Sequence, residues 1–424
     1  MNHFSSFITL KKFSFFSIFN LKYFTLFSLA FFVGCSSTKR LSSDNYYDSN
    51  SAEIIRVLLD NSESDLTITV NDLIFISDEN ELLAKVNSGN KLRFSIESEK
   101  INLIIGDKVF ISKRFFLTPS TEYGIIKVND KKYRGRILVS VYNSEIKIVN
   151  QISLEDYVKG VMIKEMPVGK GTENYQALKA FSICARTYAF NKMKENKIIF
   201  DIYPDTRDQV YGGVDGETAI TNDIVDETKG QLLFYDNQPA TIFYHSTCGG
   251  NTENVINVFS KNVIPYLTGV KDGDEPFCKI SPRFEWTENY SETVFINRLL
   301  IAKLIDNENY NISYIKVTSR FESGRVNELE IKLINSRGDE KSVLLYGNGM
   351  RTIIRSGDGK SILRSTLFDI KTDANKNVII NGSGSGHGVG MCQWGAIGQS
   401  KENIDYKKIL NHYFPGTVIK NIYD

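Results

Sequence analysis

Glu165 is the side chain whose type and position best suit proton transfer. Val158 and Val161 lie seven and four residues before it, so all three share one face of a predicted helix. Burial beside apolar side chains and the negative field at a helix carboxyl end both favour the neutral acid. A carboxyl group that stays protonated near neutral pH is suited to general acid catalysis. The same spacing is compatible with a frayed helix end at which Glu165 faces water.

The helix that carries Glu165 is delimited by local signals. Ser153 and Asp156 in the segment SLED match a capping box, and Pro167 disfavours helical geometry at the residue before it. These signals predict a helix over residues 154–166, and a second helix is predicted over residues 173–196. The second helix has an apolar stripe, in which Cys184 is a buried core thiol: Ala177, Phe181, Cys184, Ala185 and Tyr188.

Two glycine-rich segments each carry a histidine. They read HSTCGG over residues 245–250 and GSGHGVGMCQWG over residues 384–395. Glycine lets a backbone approach a ligand closely, and polar side chains on such loops suit hydrogen bonding to a polyhydroxy ligand. Tyr211, Tyr244 and Trp394 are suited either to stacking on sugar rings or to packing in the core. The candidate substrate-binding residues are Gln209, Tyr211, His245, Ser246, His387 and Gln393.

Other interpretations of the second glycine-rich segment remain open. His387 is equally compatible with a structural role in its loop, and a nucleophilic pair of His387 and Cys392 is conceivable, although five-residue spacing does not define a dyad. The glycines between 382 and 390 do not satisfy GxGxxG. The segment SGDGKS at 356–361 fails as a P-loop because Ile354 stands where the first glycine is required. Neither segment predicts a nucleotide site.

The composition is that of a globular protein. Of the 424 residues, 42% are hydrophobic and 24% are charged. Lys and Arg number 51 against 50 Asp and Glu, and residues 1–34 hold three of the lysines and no acid, so the rest of the chain has a net charge of −2. A near-neutral chain lacks the excess positive charge that binds a phosphate backbone, so a nucleic-acid partner is not predicted.

The first 34 residues resemble a bacterial lipoprotein signal peptide. Lysines precede an apolar run from Tyr23 to Val33, which is too short to span a membrane comfortably. Gly34 and Cys35 fit the cleavage and acylation position, which predicts lipidation of Cys35 and a flexible tether over residues 35–52. The protein is then exported and anchored to a membrane, facing the cell wall or periplasm. An uncleaved amino-terminal anchor gives the same location.

Export makes a disulfide between the remaining cysteines possible. Cys248 and Cys278 lie 30 residues apart in loop-like sequence and are the candidate pair. The rival interpretation is a metal site that includes His245. The chain has only four histidines and neither CxxC nor HExxH spacing, so no metal site and no cofactor are predicted.

Periodicity predicts an α+β fold with a β-rich amino-terminal part. Residues 53–150 alternate apolar and polar side chains in short runs, such as IRVLL at 55–59 and ILVSVY at 137–142, which is typical of antiparallel strands. A mixed α/β body follows over residues 151–420, with an insert at about 284–376 that shows no chemical constellation.

Two further elements are predicted within the body. Residues 232–236 and 240–245 are expected to form a β-hairpin. A helix is expected over residues 405–413, close to the end of the chain.

Several long motifs, taken in order, resemble the stage II sporulation protein D family, SpoIID/LytB. The first two are LEDYVKGVMIKEMP at residues 154–167 and YQALKAFSICARTYA at residues 175–189. Further stretches follow in the family's order: DQVYGG (208–213), TKGQLLFYDNQPATIFYHSTCGGNTE (228–253), PYLTGVKD (265–272), GSGHGVGMCQWGAIGQS (384–400) and YKKILNHYFPGT (406–417). The resemblance spans most of residues 53–420.

The resemblance implies action on peptidoglycan during cell-wall remodelling. Sporulation members of the family are lytic transglycosylases that prefer glycan strands already stripped of stem peptides, and their proposed catalytic glutamate corresponds to Glu165. Cleavage would then leave 1,6-anhydro-muramic ends. Other members are amidase enhancers, which gives a non-catalytic alternative with an N-acetylmuramoyl-L-alanine amidase as partner. A glycan-binding structural lipoprotein is a third possibility.

The chain departs from the family pattern at two places. Some members bind zinc through cysteine and histidine just before QVY, but the corresponding segment FDIYPDTRDQVYGG at 200–213 contains neither residue type. The resemblance therefore does not carry that zinc site to this chain. Serine is also common in the family where Cys392 stands.

Overall fold

The computed structural model describes residues 53–424 apart from 63–65 and 196. Cys35, the predicted signal peptide and the predicted tether lie outside the described residues. Within the described part of the chain, no helix combines the length and the apolar character needed to cross a membrane.

The first hundred described residues are antiparallel β structure, as the alternation predicts. The strands are β1 (Ile54–Ser62), β2 (Leu66–Val70), β3 (Ile74–Ser77), β4 (Leu82–Val86), β5 (Lys91–Glu97), β6 (Lys100–Ile105), β7 (Lys108–Ser112), β8 (Arg114–Pro119), β9 (Ile126–Val128), β10 (Lys131–Tyr133), β11 (Arg136–Tyr142) and β12 (Glu145–Ser153). They form two sheets, in the orders β1-β12-β11-β8-β3-β4 and β10-β9-β2-β5-β6-β7.

The two sheets pack face to face through their buried alternate residues. Phe94 on β5 lies against Phe115 on β8, with ring centroids 6.4 Å apart. Both rings belong to a hydrophobic core that continues without a break into the helices of the body. The β-rich part is therefore packed onto the body, and β12 leads straight into the helix that carries Glu165.

The rest of the chain mixes helices with short strands. The helices are α1 (Leu154–Glu165), α2 (Tyr175–Lys194), α3 (Ala219–Glu227), α4 (Glu292–Ile301), α5 (Met350–Ile354), α6 (Gln393–Lys401) and α7 (Tyr406–Tyr413). The strands are β13 (Gln231–Tyr235), β14 (Gln238–Pro239), β15 (Tyr244–His245), β16 (Glu285–Tyr290), β17 (Tyr310–Arg320), β18 (Val326–Asn335), β19 (Glu340–Tyr346), β20 (Phe368–Thr372), β21 (Val378–Ser383), β22 (Met391–Cys392) and β23 (Val418–Asn421). The α+β class predicted from the sequence is confirmed.

Helix α1 begins where its local signals predict. Ser153 is the last residue of β12 and also the N-cap of α1, and its hydroxyl oxygen accepts a hydrogen bond from the backbone N–H of Asp156 at 3.1 Å. Val158 and Val161 are fully buried, so Glu165 ends a helix whose apolar face points into the core. The predicted helices over 173–196 and 405–413 are also confirmed, as α2 and α7.

The predicted hairpin over 232–245 is wrong in its second strand. Strand β13 turns back at Asp236 and Asn237, both with positive φ, and its hairpin partner is only the two-residue β14, while β23 pairs with it on the other side. Residues 240–243 are not a strand, and β15 instead pairs in parallel with β22. Alternation over so short a run cannot distinguish a hairpin strand from one that pairs almost 150 residues away.

Residues between β15 and β22 include a segment with a separate hydrophobic core. Strands β16 to β21 with α4 and α5 bury residues such as Phe295, Leu329 and Val378, which belong to a different cluster from the body. The two ends of the segment lie side by side, since the Gly384 N–H donates to the Phe284 carbonyl oxygen at 2.8 Å. That the segment is an insert in an evolutionary sense stays a prediction.

Candidate functional site

Glu165 lies at the carboxyl end of α1 with its carboxyl group half-buried. Its Oε1 accepts a hydrogen bond of 2.6 Å from the backbone N–H of Val210, in the loop that leads to α3. Burial raises the pKa of the Glu165 carboxyl above its ordinary value, and the Val210 N–H opposes this by favouring the carboxylate. The arrangement gives an acid that is held in one orientation and remains partly accessible.

Gln393 fixes the end of the helix that carries Glu165. It is the first residue of α6, and its side-chain Nε2 donates to the Glu165 carbonyl oxygen at 2.9 Å. A last-turn carbonyl has no partner within its own helix, so this bond satisfies it. Gln393 is buried, and this bond makes it a positioning residue in the structure, while its direct contact with substrate stays a prediction.

Gln209 joins the buried Tyr157 to the half-buried Tyr244 by hydrogen bonds. The Tyr157 hydroxyl donates to Gln209 Oε1, and Gln209 Nε2 donates to the Tyr244 hydroxyl, each at 3.1 Å. Gln209 is 0% exposed in this structure, and its contact with substrate stays a prediction. Burial is the main cause of the raised pKa of Tyr244, and the negative charge of Glu165 is the next. The network therefore lies close enough to Glu165 to be influenced by its charge.

Tyr211 is a core residue in the structure. The ring is 3% exposed and stacks on Tyr157 with centroids 5.1 Å apart, and its hydroxyl donates to Asn150 Oδ1 at 2.9 Å. Gly160 of α1 makes this packing possible, because a Cβ there would lie 2.5 Å from the Tyr211 ring. Of the two roles considered for Tyr211, the structure shows the packing role, and contact with a substrate stays a prediction.

The two loop histidines have structural hydrogen bonds. His387 Nδ1 accepts from the Val389 N–H at 3.1 Å, so Nε2 carries the proton that is donated to the Tyr244 carbonyl oxygen at 2.9 Å. Burial lowers the pKa of His387 to about 3, which keeps it neutral. His245 is buried beside it, with Nδ1 3.1 Å from the Val389 carbonyl oxygen.

These contacts bear on three interpretations of the glycine-rich segments. Both rings bind backbone groups, although His245 Nε2 is buried without a hydrogen-bond partner, and direct substrate contact by His245 and His387 stays a prediction. The His387–Cys392 dyad is excluded because both ring nitrogens of His387 are engaged. Ser246 is the remaining candidate at this place, half-buried with its hydroxyl 3.3 Å from that of Thr247.

Asp208 is the nearby acid in the same loop, and it is engaged elsewhere. Its Oδ1 accepts from the Tyr188 hydroxyl at 2.7 Å and lies 3.3 Å from Lys192 Nζ, while Oδ2 accepts from the Tyr203 N–H at 2.9 Å. One cation and two donors therefore hold Asp208 in the fold. Glu165 is the better candidate acid of the two.

Sequence reasoning missed a buried ion pair within the same motifs. Glu155 on α1 accepts from Arg186 on α2, with Nη2 2.7 Å from Oε2, and Arg186 is 0% exposed. Arg186 also donates to the carbonyl oxygens of Val225 and Gln231, which ties α1 and α2 to α3 and β13. The sequence signal that could have revealed this pair is Glu155, a charged residue three positions before Val158 and therefore on the buried face of α1.

The cysteines predicted to pair are close to each other but not bonded. Cys248 and Cys278 are free thiols with their Sγ atoms 3.4 Å apart, so the predicted disulfide is not formed in the structure. Cys184 is buried in the core, as its place in the α2 stripe predicts.

Comparison with known proteins identifies two parts of the chain. Residues 142–235, which include Glu165, match the family described as Stage II sporulation protein (SpoIID). Residues 278–390 match a domain of unknown function, DUF8618, and this range covers the segment with the separate core.

Three relatives extend the likeness over most of the chain. An uncharacterized protein of Brachyspira hyodysenteriae is 31% identical over 342 residues, or 77% of this chain and 86% of that protein. The stage II sporulation protein D of Bacillus amyloliquefaciens is 30% identical over 301 residues, or 67% of this chain and 78% of that protein. The amidase enhancer of Bacillus subtilis is 29% identical over 298 residues, which cover 62% of this chain but only 40% of the enhancer. The chain therefore belongs to the SpoIID/LytB family of stage II sporulation protein D.

Proposed function

We propose that this protein cleaves peptidoglycan glycan strands by a lytic transglycosylase reaction, with Glu165 as the only acid and base. The observation that carries the proposal is the half-buried Glu165 carboxyl, whose pKa burial raises and whose Oε1 is held by the Val210 N–H. Most glycosidases need two carboxyl groups, whereas intramolecular ring closure needs one. The engagement of Asp208 by Tyr188 and Lys192 supports the one-acid scheme.

In this scheme the proton leaves Glu165 and then returns to it. The carboxyl group protonates the glycosidic oxygen between N-acetylmuramic acid and N-acetylglucosamine as that C–O bond breaks. The muramic C6 hydroxyl then attacks C1, and the Glu165 carboxylate takes its proton, so a 1,6-anhydro ring forms without water. Val210 stabilises the carboxylate between the two transfers, while Gln393 holds the helix end in place.

The products of purified peptidoglycan incubated with the full chain test this proposal. Intact wall and wall stripped of stem peptides by an amidase are digested separately, and the new ends are identified by mass spectrometry. We expect 1,6-anhydro-muramic ends, more of them on the stripped wall. Reducing ends would indicate a hydrolase instead. No new ends, together with faster release of peptides when an amidase is added, would replace the proposal with an amidase-enhancing role.

The rate of cleavage is expected to fall as pH rises through the pKa of Glu165. Only the protonated carboxyl can donate to the glycosidic oxygen, and burial places this pKa above the ordinary value of 4.5. The dependence of kcat/KM on pH, measured on stripped glycan strands, should therefore show a descending limb at a higher pH than an exposed glutamate would give. A rate that only increases with pH would assign the essential carboxyl group as a base.

A further inference from the structure

A second cluster of reactive side chains lies apart from Glu165. Cys248, Cys278, Cys392 and Asp272 converge from separate parts of the chain, and their ligand atoms all lie within 4.8 Å of one another. All four residues are 0% exposed. Neutral thiols are buried at little cost, but a carboxyl group among them is stable only when it is hydrogen-bonded or bound.

The spacing within the cluster is that of a tetrahedral metal site. Zinc–sulfur bonds of about 2.3 Å place two thiolate sulfurs roughly 3.8 Å apart in a tetrahedron. The Sγ atoms of Cys248 and Cys278 are 3.4 Å apart, and no pair of ligand atoms in the cluster exceeds 4.8 Å. Side-chain shifts well under 1 Å per ligand bring the set to that geometry.

Backbone N–H groups already point at the sulfur atoms. Cys392 Sγ accepts from the N–H groups of Cys248 at 3.1 Å and Gly395 at 3.2 Å, and Cys248 Sγ accepts from the Gly250 N–H at 3.4 Å. Cys392 is also the N-cap of α6, where the helix dipole favours negative charge. Both features stabilise thiolates, which are the form that binds metal.

Asp272 is oriented as a ligand carboxylate would be. Its Oδ1 accepts from the Tyr413 hydroxyl at 2.6 Å and its Oδ2 from the Cys278 N–H at 2.8 Å. Metal-binding carboxylates are held in this manner by groups outside the coordination sphere.

A buried cation lies beside the cluster. Arg325 is 1% exposed, and its guanidinium donates to the carbonyl oxygens of Cys248 at 2.6 Å and Asn251 at 2.8 Å. A divalent cation bound by three thiolates and one carboxylate leaves excess negative charge. Arg325 is placed to balance part of that charge.

We propose that Cys248, Cys278, Cys392 and Asp272 bind one zinc ion in a closed structural site. Four protein ligands leave no open position, which distinguishes structural from catalytic zinc. The site joins the loop after β15 and the turn around Cys278 to the amino end of α6, and the next residue, Gln393, holds the end of the Glu165 helix. The residues lie outside the 200–213 segment, and spacing alone did not reveal them.

Metal analysis of the full chain tests the site directly. The protein is purified without chelators, and its zinc content is measured by elemental mass spectrometry. We expect about one zinc per chain, lost in Cys392→Ser and reduced in Asp272→Asn. The matched control is Cys184→Ser, a buried cysteine outside the cluster, which should keep its zinc.

A measurement on the unaltered protein covers the case in which the variants do not fold. Replacing zinc by cobalt should give the visible absorption bands of thiolate-bound tetrahedral cobalt. Peptide mapping after alkylation separates the rival arrangement, because a Cys248–Cys278 disulfide protects both thiols without any metal. Such a disulfide, failure of the reduced protein to take up zinc or cobalt, or unchanged zinc in Cys392→Ser would overturn the proposal.

Discussion

Replacing Glu165 by glutamine is expected to lower the rate of glycan cleavage by roughly 10²–10⁴-fold, the usual contribution of a positioned general acid. Glutamine has the same size and keeps an oxygen that can accept from the Val210 N–H. It has no proton of suitable acidity for the glycosidic oxygen and cannot take one from the C6 hydroxyl. The fold and the binding of glycan strands should therefore persist while chemistry is lost.

A matched control separates this effect from a general loss of charge. Glu195 caps the carboxyl end of α2 and is exposed, so Glu195→Gln should cleave at the unaltered rate. Initial rates of 1,6-anhydro end formation, strand binding and melting temperature are compared for both variants. A Glu165→Gln variant that is folded and fully active would remove Glu165 from the reaction and leave the protein without an identified acid.

Replacing Arg186 by methionine is expected to destabilise the protein by about 3–5 kcal/mol. The variant leaves Glu155 in the core without its cation and removes the bonds to the Val225 and Gln231 carbonyl oxygens. Removing one partner of a buried pair costs far more than the pair contributes, because the remaining charge has lost its water. The melting temperature should fall by roughly 5–10 °C.

The same substitution at an exposed ion pair provides the comparison. Arg114 and Glu79 lie 2.8 Å apart with side chains about half exposed, so Arg114→Met should change stability by less than about 1 kcal/mol. Unfolding in urea, followed by tryptophan fluorescence, measures both variants. If Arg186→Met and Arg114→Met lose the same free energy of unfolding, the charge of Arg186 contributes no more than that of an exposed arginine. Adding Glu155→Gln to Arg186→Met should then not restore stability.

Local signals in the sequence were sufficient to predict the elements that carry the acid. The Ser153 cap and the spacing of Val158, Val161 and Glu165 predict α1 to within one residue at its end, because capping and periodicity depend only on neighbouring residues. The role of Tyr211 depends instead on Gly160 and Asn150, which packing brings to its ring. The periodicity of a sequence does not show which distant residues will pack against a given ring.

The glycines of the second histidine segment were predicted to let the backbone approach a ligand closely. They do permit close approach, but what approaches is the protein's own backbone. A Cβ at Gly390 would lie 2.1 Å from the Phe243 carbonyl oxygen, and one at Gly384 would lie 2.6 Å from that of Thr247. A glycine in the sequence indicates that some group approaches the backbone closely, and the fold is needed to identify that group.

The full cysteine cluster was not predicted, because Cys392 is distant in sequence from Cys248 and Cys278, which were considered only as a disulfide or as a metal site with His245. Cys248 and Cys392 are 144 residues apart and meet because β15 pairs with β22. Motifs such as CxxC detect ligands that share one turn, so a site assembled by pairing between remote strands leaves no spacing to recognise.

The side-by-side ends of the segment between Phe284 and Gly384 bear on how the chain tolerates changes in the length of that segment. The entropic cost of closing a loop grows only slowly with its length, by about 0.6 kcal/mol for each doubling. Because the stretch has its own core, the packing changes caused by a mutation within it stay within the stretch. Changes in the length of the segment should therefore leave the helix that carries Glu165 in place, provided that Arg325 keeps its bonds to the Cys248 and Asn251 carbonyl oxygens.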